Sequence, residues 1–253
     1  MVSYRTNIGR KMRKLIILFT AILYGCGGGG GESSSAKSVC PPKENTVVFF
    51  IAGQSNAANV AQNSNEKVSP KVFQYVDSKC YPAKSPLMNV PLHPSPNETN
   101  YFNLFQQVMV DYSERTGKNV IFSVYAINGA SIKRFIDNAE FTKAYNDLNT
   151  AYGVNYFLWQ QGESDARDKM TFQEYSDYWQ RLISGISRDV IILTARSTVC
   201  GLLSEYDNEV GLFQSTQTGP NTDMVPKIKR YDECHFNSAG VADASILWNN
   251  YLK

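Results

Sequence analysis

Three polar clusters stand directly behind apolar runs. Gly53-Gln54-Ser55-Asn56 ends the run Thr46 to Ile51, and Asn128-Gly129-Ala130-Ser131 follows Val120 to Val124. Gln161-Gly162-Glu163-Ser164-Asp165 follows Tyr156 to Trp159. A fourth stretch, Asp232-Glu233-Cys234-His235, precedes the last helical pattern. A serine on a sharp turn, an imidazole, and a carboxylate three residues before that imidazole are the parts of nucleophilic acyl transfer. Ser55 is the candidate nucleophile and His235 its base. Asp232 can turn back onto the His235 Nδ1 proton and leave Nε2 free to accept. Turns favour Gly, Ser and Asn whatever they do, so the reading rests on the clusters converging. The other histidine, His93, sits in Pro91-Leu92-His93-Pro94 and reads as a loop-packing residue. Asp165 reads as a helix-start or loop residue.

Elements that bring these residues together follow from the hydrophobic pattern. Thr46 to Ile51, Val120 to Val124, Tyr156 to Trp159 and Val190 to Thr194 are short and rich in β-branched and aromatic residues. They predict strands covered on both faces. Helical spacing links Phe102, Phe105, Val108, Met109 and Tyr112, with Gly117 as a stop. It returns at Phe141, Ala144, Tyr145 and Leu148, and again at Val241, Ala244, Leu247, Trp248 and Tyr251 behind Asn237. Thr171 and Glu174 make a capping box ahead of Tyr175, Tyr178, Trp179 and Leu182. Strands alternating with helices predict an α/β fold, a three-layer α/β/α sandwich on a parallel central sheet. The carboxyl ends of such strands share one edge, where ligands bind. Residues 60–100 read as an irregular, proline-containing insertion near that edge.

Gly53-Gln54-Ser55-Asn56, Trp159-Gln160-Gln161-Gly162-Glu163-Ser164 and Asp232-Glu233-Cys234-His235 resemble the signature blocks of the SGNH-type hydrolases. They are most similar to the sialate O-acetylesterase-like branch near carbohydrate esterase family 6, with its acetylxylan esterases. The resemblance spans roughly residues 45–250, with the blocks in the right order. It implies the SGNH-hydrolase, flavodoxin-like fold and a serine esterase with Ser55, His235 and Asp232 as its triad. It implies an oxyanion hole made by the backbone N–H groups of Ser55 and Gly129 and the side-chain amide of Gln161. Gln54, Asn56 and Glu163 would support these groups, Asn56 by holding the serine turn. Glu163 is also the alternative to Asp232 as the carboxylate that orients His235. Asn128 stands where the family more often has glycine; asparagine tolerates positive φ, so the turn can survive.

The chain has 253 residues, 43% of them hydrophobic, enough for one sizeable core. Its formal net charge is +2, yet the first 25 residues hold five cations and no acid, so the remainder is mildly acidic. That argues against a nucleic-acid partner. Basic residues up to Lys14 precede the apolar stretch Leu15 to Leu23, which predicts a signal peptide over residues 1–25. Leu23-Tyr24-Gly25-Cys26 resembles a bacterial lipobox, so residues 26–44 are expected to be a lipidated Cys26 and a Gly/Ser tether, ahead of an esterase domain at 45–253. Gly27 after Cys26 implies outer-membrane sorting, and hence a lipid-anchored envelope protein. The other cysteines, Cys40, Cys80, Cys200 and Cys234, suggest two disulfides in an exported chain. Of three pairings, Cys40–Cys80 with Cys200–Cys234 is favoured, because the second would pin the loop carrying His235. No cysteine or histidine spacing suggests a zinc site, and no metal or organic cofactor is expected.

Three rival readings stand beside this one; in one, Cys234 beside His235 would be a cysteine nucleophile, but neighbours on a turn rarely face each other and a disulfide to Cys200 would bury the sulfur. A nucleophile-elbow hydrolase would need glycine where Ala57 stands. A non-catalytic glycan-binding lipoprotein could stack sugars on Trp159, Trp179 and Trp248, but each lies in a strand or helical stripe and reads as core. The expected reaction is removal of small acyl groups, acetyl foremost, from an O-acetylated carbohydrate, with specificity carried by residues 60–100 and 201–230.

Overall fold

Residues Thr46–Gly53 form β1, whose side chains alternate between two cores. Phe49 and Ile51 enter one; Val48, Phe50 and Ala52 enter the other. A strand with period-two side chains and apolar residues at every position must be covered on both faces. Each of its two fully buried phenylalanines contributes about 2–3 kcal/mol of burial. The structure, a computed structural model, describes residues 40–62, 65–93, 101–201 and 208–253. The expected signal peptide, Cys26 and most of the tether lie outside the described residues.

The other strands are β2 (Val72–Val76), β3 (Lys79–Pro82), β4 (Asn119–Ala126), β5 (Tyr156–Gln160) and β6 (Ile191–Thr194). Their order in the sheet is β3-β2-β4-β1-β5-β6. Helices α1 (Leu104–Thr116) and α6 (Ser238–Asn249) cover one face, where Phe105 meets Trp248. On the other, α2 (Ala139–Tyr152) and α4 (Phe172–Ile183) pack Phe141 and Trp179 against Phe157. The shorter α3 (Glu163–Arg167) and α5 (Glu209–Ser215) lie beyond the carboxyl ends of β5 and β6. This is the expected three-layer sandwich, and all three tryptophans are fully buried in it. The capping box of Thr171 and Glu174 forms at the start of α4.

Two expectations need correction. Residues 60–100 are not simply irregular: they supply β2, parallel to β4, and β3, antiparallel to β2. The sheet is therefore mixed at one edge. The hairpin turns on Asp77 and Ser78, both at positive φ, where Asn-Gly would have announced it. Pro82 ends the edge strand, where a missing N–H costs nothing.

Register fixes the site. Gly53 lies level with Ala126 of β4 on one side and Gln160 of β5 on the other. The three polar clusters therefore leave the sheet side by side, where the chain switches from one side of β1 to the other. Gly53 is required by close approach: a Cβ there would lie 2.0 Å from the Gln160 carbonyl oxygen. Gly53→Ala should cost about 3 kcal/mol of stability, read as a lower urea midpoint with an unchanged slope.

Candidate active site

Leaving β1, the chain enters a single 3₁₀ turn, Ser55–Ala57, closed by the Ala58 N–H on the Ser55 carbonyl at 2.8 Å. Asn103, which caps α1, donates its side-chain amide to the Ala57 carbonyl at 2.9 Å. The serine turn is thus pinned to a helix start as well as to the sheet. Ser55 is nearly buried, at 7% exposure, at the floor of a cavity of about 220 Å³. Its hydroxyl lies 2.9 Å from His235 Nε2, and His235 Nδ1 lies 2.6 Å from Asp232 Oδ2.

Local backbone explains how Asp-x-x-His achieves this. Glu233 sits at φ 64°, so the chain reverses between the two residues. Asp232 Oδ1 then accepts the N–H groups of Cys234 (3.0 Å) and His235 (2.7 Å), leaving Oδ2 for the ring. Burial alone would raise the Asp232 pKa. The hydrogen bonds from the His235 ring and from these N–H groups outweigh it and hold the carboxyl down at about 2. An ionised Asp232 accepts from Nδ1–H, which leaves the Nε2 lone pair toward the serine hydroxyl.

The loop is held from below. Arg230 donates to the carbonyls of Cys234 (2.6 Å) and Thr222 (2.9 Å) while lying over the Phe236 ring. The Tyr231 ring stacks against His235 at 5.9 Å, and its hydroxyl bonds the Val60 carbonyl. Both favoured disulfides form, and Cys200–Cys234 borders the cavity beside His235.

The supporting residues tie the loops of the site together. Gln54 Oε1 accepts from the Gln161 amide (3.2 Å) and the Ser164 N–H (3.2 Å), fastening the serine turn to α3. Asn56 donates to Glu163 (2.8 Å) and to the Cys234 carbonyl (3.4 Å), joining three loops. Glu163 also accepts from Ser197 (2.8 Å) and does not meet His235, which faces Asp232 instead. Burial pushes the Glu163 pKa up, against the pull of its Asn56 and Ser197 bonds.

Gln161 is the correction. Its amide was expected to face the oxyanion, but the side chain is fully buried. The amide donates to the Ala130 carbonyl (3.0 Å), to Gln54 and to Asp165 Oδ2, and its oxygen accepts from the Tyr175 hydroxyl (2.8 Å). An amide with two hydrogens and three acceptors has none to spare. Asp165, four residues on in α3, captures it; that spacing was visible in Gln161-Gly162-Glu163-Ser164-Asp165. Asp165 lies in the first turn of α3, the helix-start alternative, and is in addition a buried acceptor for the Ile132 N–H (2.9 Å). Gln161→Leu should lower stability by about 2 kcal/mol, because Asp165 and Tyr175 lose a buried partner. Urea unfolding reads this; loss of an oxyanion donor would appear instead as a fall in kcat of roughly 10²–10³.

Gly129 occupies the expected place on the cavity wall at φ 63°. It is the third residue of a turn closed by the Ala130 N–H on Ile127, where glycine is favoured. The left-handed residue is Gly129 alone, so Asn128 needs no positive φ. Asn128 instead donates to the Leu92 carbonyl at 2.7 Å. That bond brings His93 to the cavity, its ring centroid 5.2 Å from that of His235. Sequence reasoning placed His93 in loop packing and gave no signal for this approach, which crosses 142 residues of chain. A larger cavity of about 470 Å³, bordered by Tyr75, Tyr125 and Lys143, holds none of the predicted site residues.

Comparison with known proteins agrees with this geometry. Residues 45–247 match the family described as carbohydrate esterase, sialic acid-specific acetylesterase. No curated protein matches the chain in sequence. Among solved structures, a protein from Arabidopsis thaliana is similar with a TM-score of 0.62 at 14% identity, covering 83% of this chain and 97% of that one. A carbohydrate acetylesterase from Xanthomonas citri gives 0.52 at 14% identity, over 80% of this chain and 55% of that one. A variant of an acetyl xylan esterase from Geobacillus stearothermophilus gives 0.50 at 11% identity, over 82% and 94%. At these identities the structures establish the shared fold, while the family match spans most of the chain. The chain belongs to the sialic acid-specific acetylesterase family of carbohydrate esterases and is a hydrolase acting on ester bonds.

Proposed function

We propose that this hydrolase removes O-acetyl groups from a carbohydrate through an acyl-enzyme on Ser55. The observation that carries the reading is the unbroken line Ser55–His235–Asp232, at 2.9 and 2.6 Å, with Ser55 and His235 lining an open cavity. Ser55 Oγ attacks the ester carbonyl carbon as its proton passes to His235 Nε2. The carbonyl oxygen takes the negative charge, facing the backbone N–H groups of Ser55 and Gly129. Among the described residues neither N–H has a protein acceptor, so both are available. Collapse of the tetrahedral intermediate breaks the bond to the sugar oxygen, which takes the proton from His235. Water then attacks the acyl-enzyme, losing a proton to His235; the bond to Ser55 Oγ breaks as His235 returns that proton to the serine oxygen, and acetate leaves. Asp232 stays ionised throughout and stabilises the imidazolium.

Its setting is proposed as well. The basic start, the apolar run Leu15 to Leu23 and Leu23-Tyr24-Gly25-Cys26 support export and lipid anchoring at Cys26, with Gly27 favouring the outer membrane. Among the described residues no helix is long and apolar enough to cross a membrane.

The test pairs two readouts. Acetate release is measured on a panel that includes O-acetylated sialic acid and acetylated xylan, and the chain is treated with a fluorophosphonate and mapped by peptide mass spectrometry. The expected result is acetate from at least one sugar and a single adduct on Ser55. An unlabelled Ser55, with no acetate from any glycan, would sink the reading.

A further inference from the structure

The pocket holds more ligating groups than a triad uses. His93, Asp232 and His235 each present one nitrogen or oxygen, and these three atoms lie within 4.8 Å of one another. Position is imposed on His93 from two directions: the Asn59 N–H bonds the Pro91 carbonyl at 2.9 Å, and the Asn128 amide bonds the Leu92 carbonyl at 2.7 Å. Asp232 and His235 are fixed by their own turn and by the Cys200–Cys234 disulfide. Two imidazoles and one carboxylate are a donor set for zinc and its neighbours, and a poor one for magnesium or calcium, which prefer oxygen. Three such ligands leave a fourth tetrahedral position open.

We propose that His93, Asp232 and His235 form a binding site for one zinc-type divalent cation, and that its occupation holds the enzyme inactive. Bonds to zinc of about 2.0–2.2 Å set ligand atoms roughly 3.3 Å apart, so closing the site takes movement of at most about 1.5 Å. Rotation of the His93 ring can supply part of it. The cost falls on the triad. A cation that shares His235 and Asp232 competes for the groups that bond Ser55 and orient the base. A histidine whose lone pair is taken by a metal accepts no proton from serine. The site is thus a reversible lock on the active state. Binding is independent of the proposed reaction; only the inhibition rests on it.

The experiment uses the untagged chain and zinc chloride, with magnesium chloride as the contrasting ion. Isothermal titration should show one zinc per chain and no magnesium binding. Zinc should suppress acetate release over the same concentration range, and chelation with EDTA should restore it. His93→Ala should weaken zinc binding by about tenfold or more and shift inhibition equally, each variant being measured against its own zinc-free rate. His93→Gln, close in size and a poor zinc ligand, should behave alike and covers the case in which the alanine variant folds badly. Equal zinc affinity in wild type and both His93 variants, or no stoichiometric binding to wild type, would overturn the proposal. Because titration needs no turnover, a chain that releases no acetate still tests the site, so failure of the esterase reading and failure of the metal site are told apart.

Discussion

Ser55→Ala should abolish acetate release while leaving a chain that melts like the wild type. The loss expected for removing an acyl-transfer nucleophile is roughly 10⁴-fold or more in kcat. Stability should barely move. The Ser55 hydroxyl gives up one side-chain hydrogen bond, to His235 at 2.9 Å, and such a bond contributes about 1 kcal/mol. The serine turn itself is held by other groups: Asn103 on the Ala57 carbonyl, Asn56 on Glu163, and Gln54 on the Gln161 amide and the Ser164 N–H. His235→Ala should cost a similar factor, and the double variant little more than either single one, since nucleophile and base act as one unit. That non-additivity separates the esterase from a glycan-binding module. A binder would keep its affinity in Ser55→Ala, and its two substitutions, if felt at all, would add. A Ser55→Ala chain with undiminished acetate release would reject the proposed mechanism.

What the sequence made legible follows from which interactions are local. Short apolar runs and helical spacing showed β1, β4, β5, β6 and the helices α1, α2, α4 and α6, because their patterns come from neighbours in the chain. The Asp232-to-His235 turn was readable for the same reason, as both carboxylate oxygens act within three residues. β2 and β3 were missed because their turn, Asp77-Ser78, lacks the usual glycine and their strands are short. The role of Gln161 was missed because family resemblance names a residue type at a position, whereas its direction depends on Asp165, Ala130 and Tyr175, which compete for one amide. His93 reaches the site through the Asn128 side-chain amide on the Leu92 carbonyl and the Asn59 N–H on the Pro91 carbonyl, and nothing in the spacing of these distant segments encodes that.

Asp232→Asn should lower kcat by roughly 10⁴-fold at neutral pH with the His235 loop still in place. The turn survives because asparagine keeps one carbonyl oxygen, enough for the Cys234 and His235 N–H groups that Oδ1 now accepts. What changes is the group facing Nδ1. An amide NH₂ donates where a carboxylate accepted, so the ring proton moves to Nε2 and the lone pair that should take the serine proton is gone. Wild-type pH behaviour supplies a second check. With its carboxyl held at about 2, Asp232 remains ionised at neutral pH, so no inflection of kcat/KM near neutrality should belong to it. The sign of the stability effect is also fixed. A carboxyl whose folded pKa lies below its ordinary 3.8 stabilises the fold fully above that value and loses the contribution as pH falls toward 2. Thermal melts of wild type and Asp232→Asn should therefore differ at neutral pH and converge between about pH 4 and pH 2, with only a small difference because the side chain is 37% exposed. An Asp232→Asn enzyme with near-normal kcat would return the orienting role to another group. Glu163 is the carboxylate that lines the cavity, and Glu163→Gln would then be the variant that loses activity.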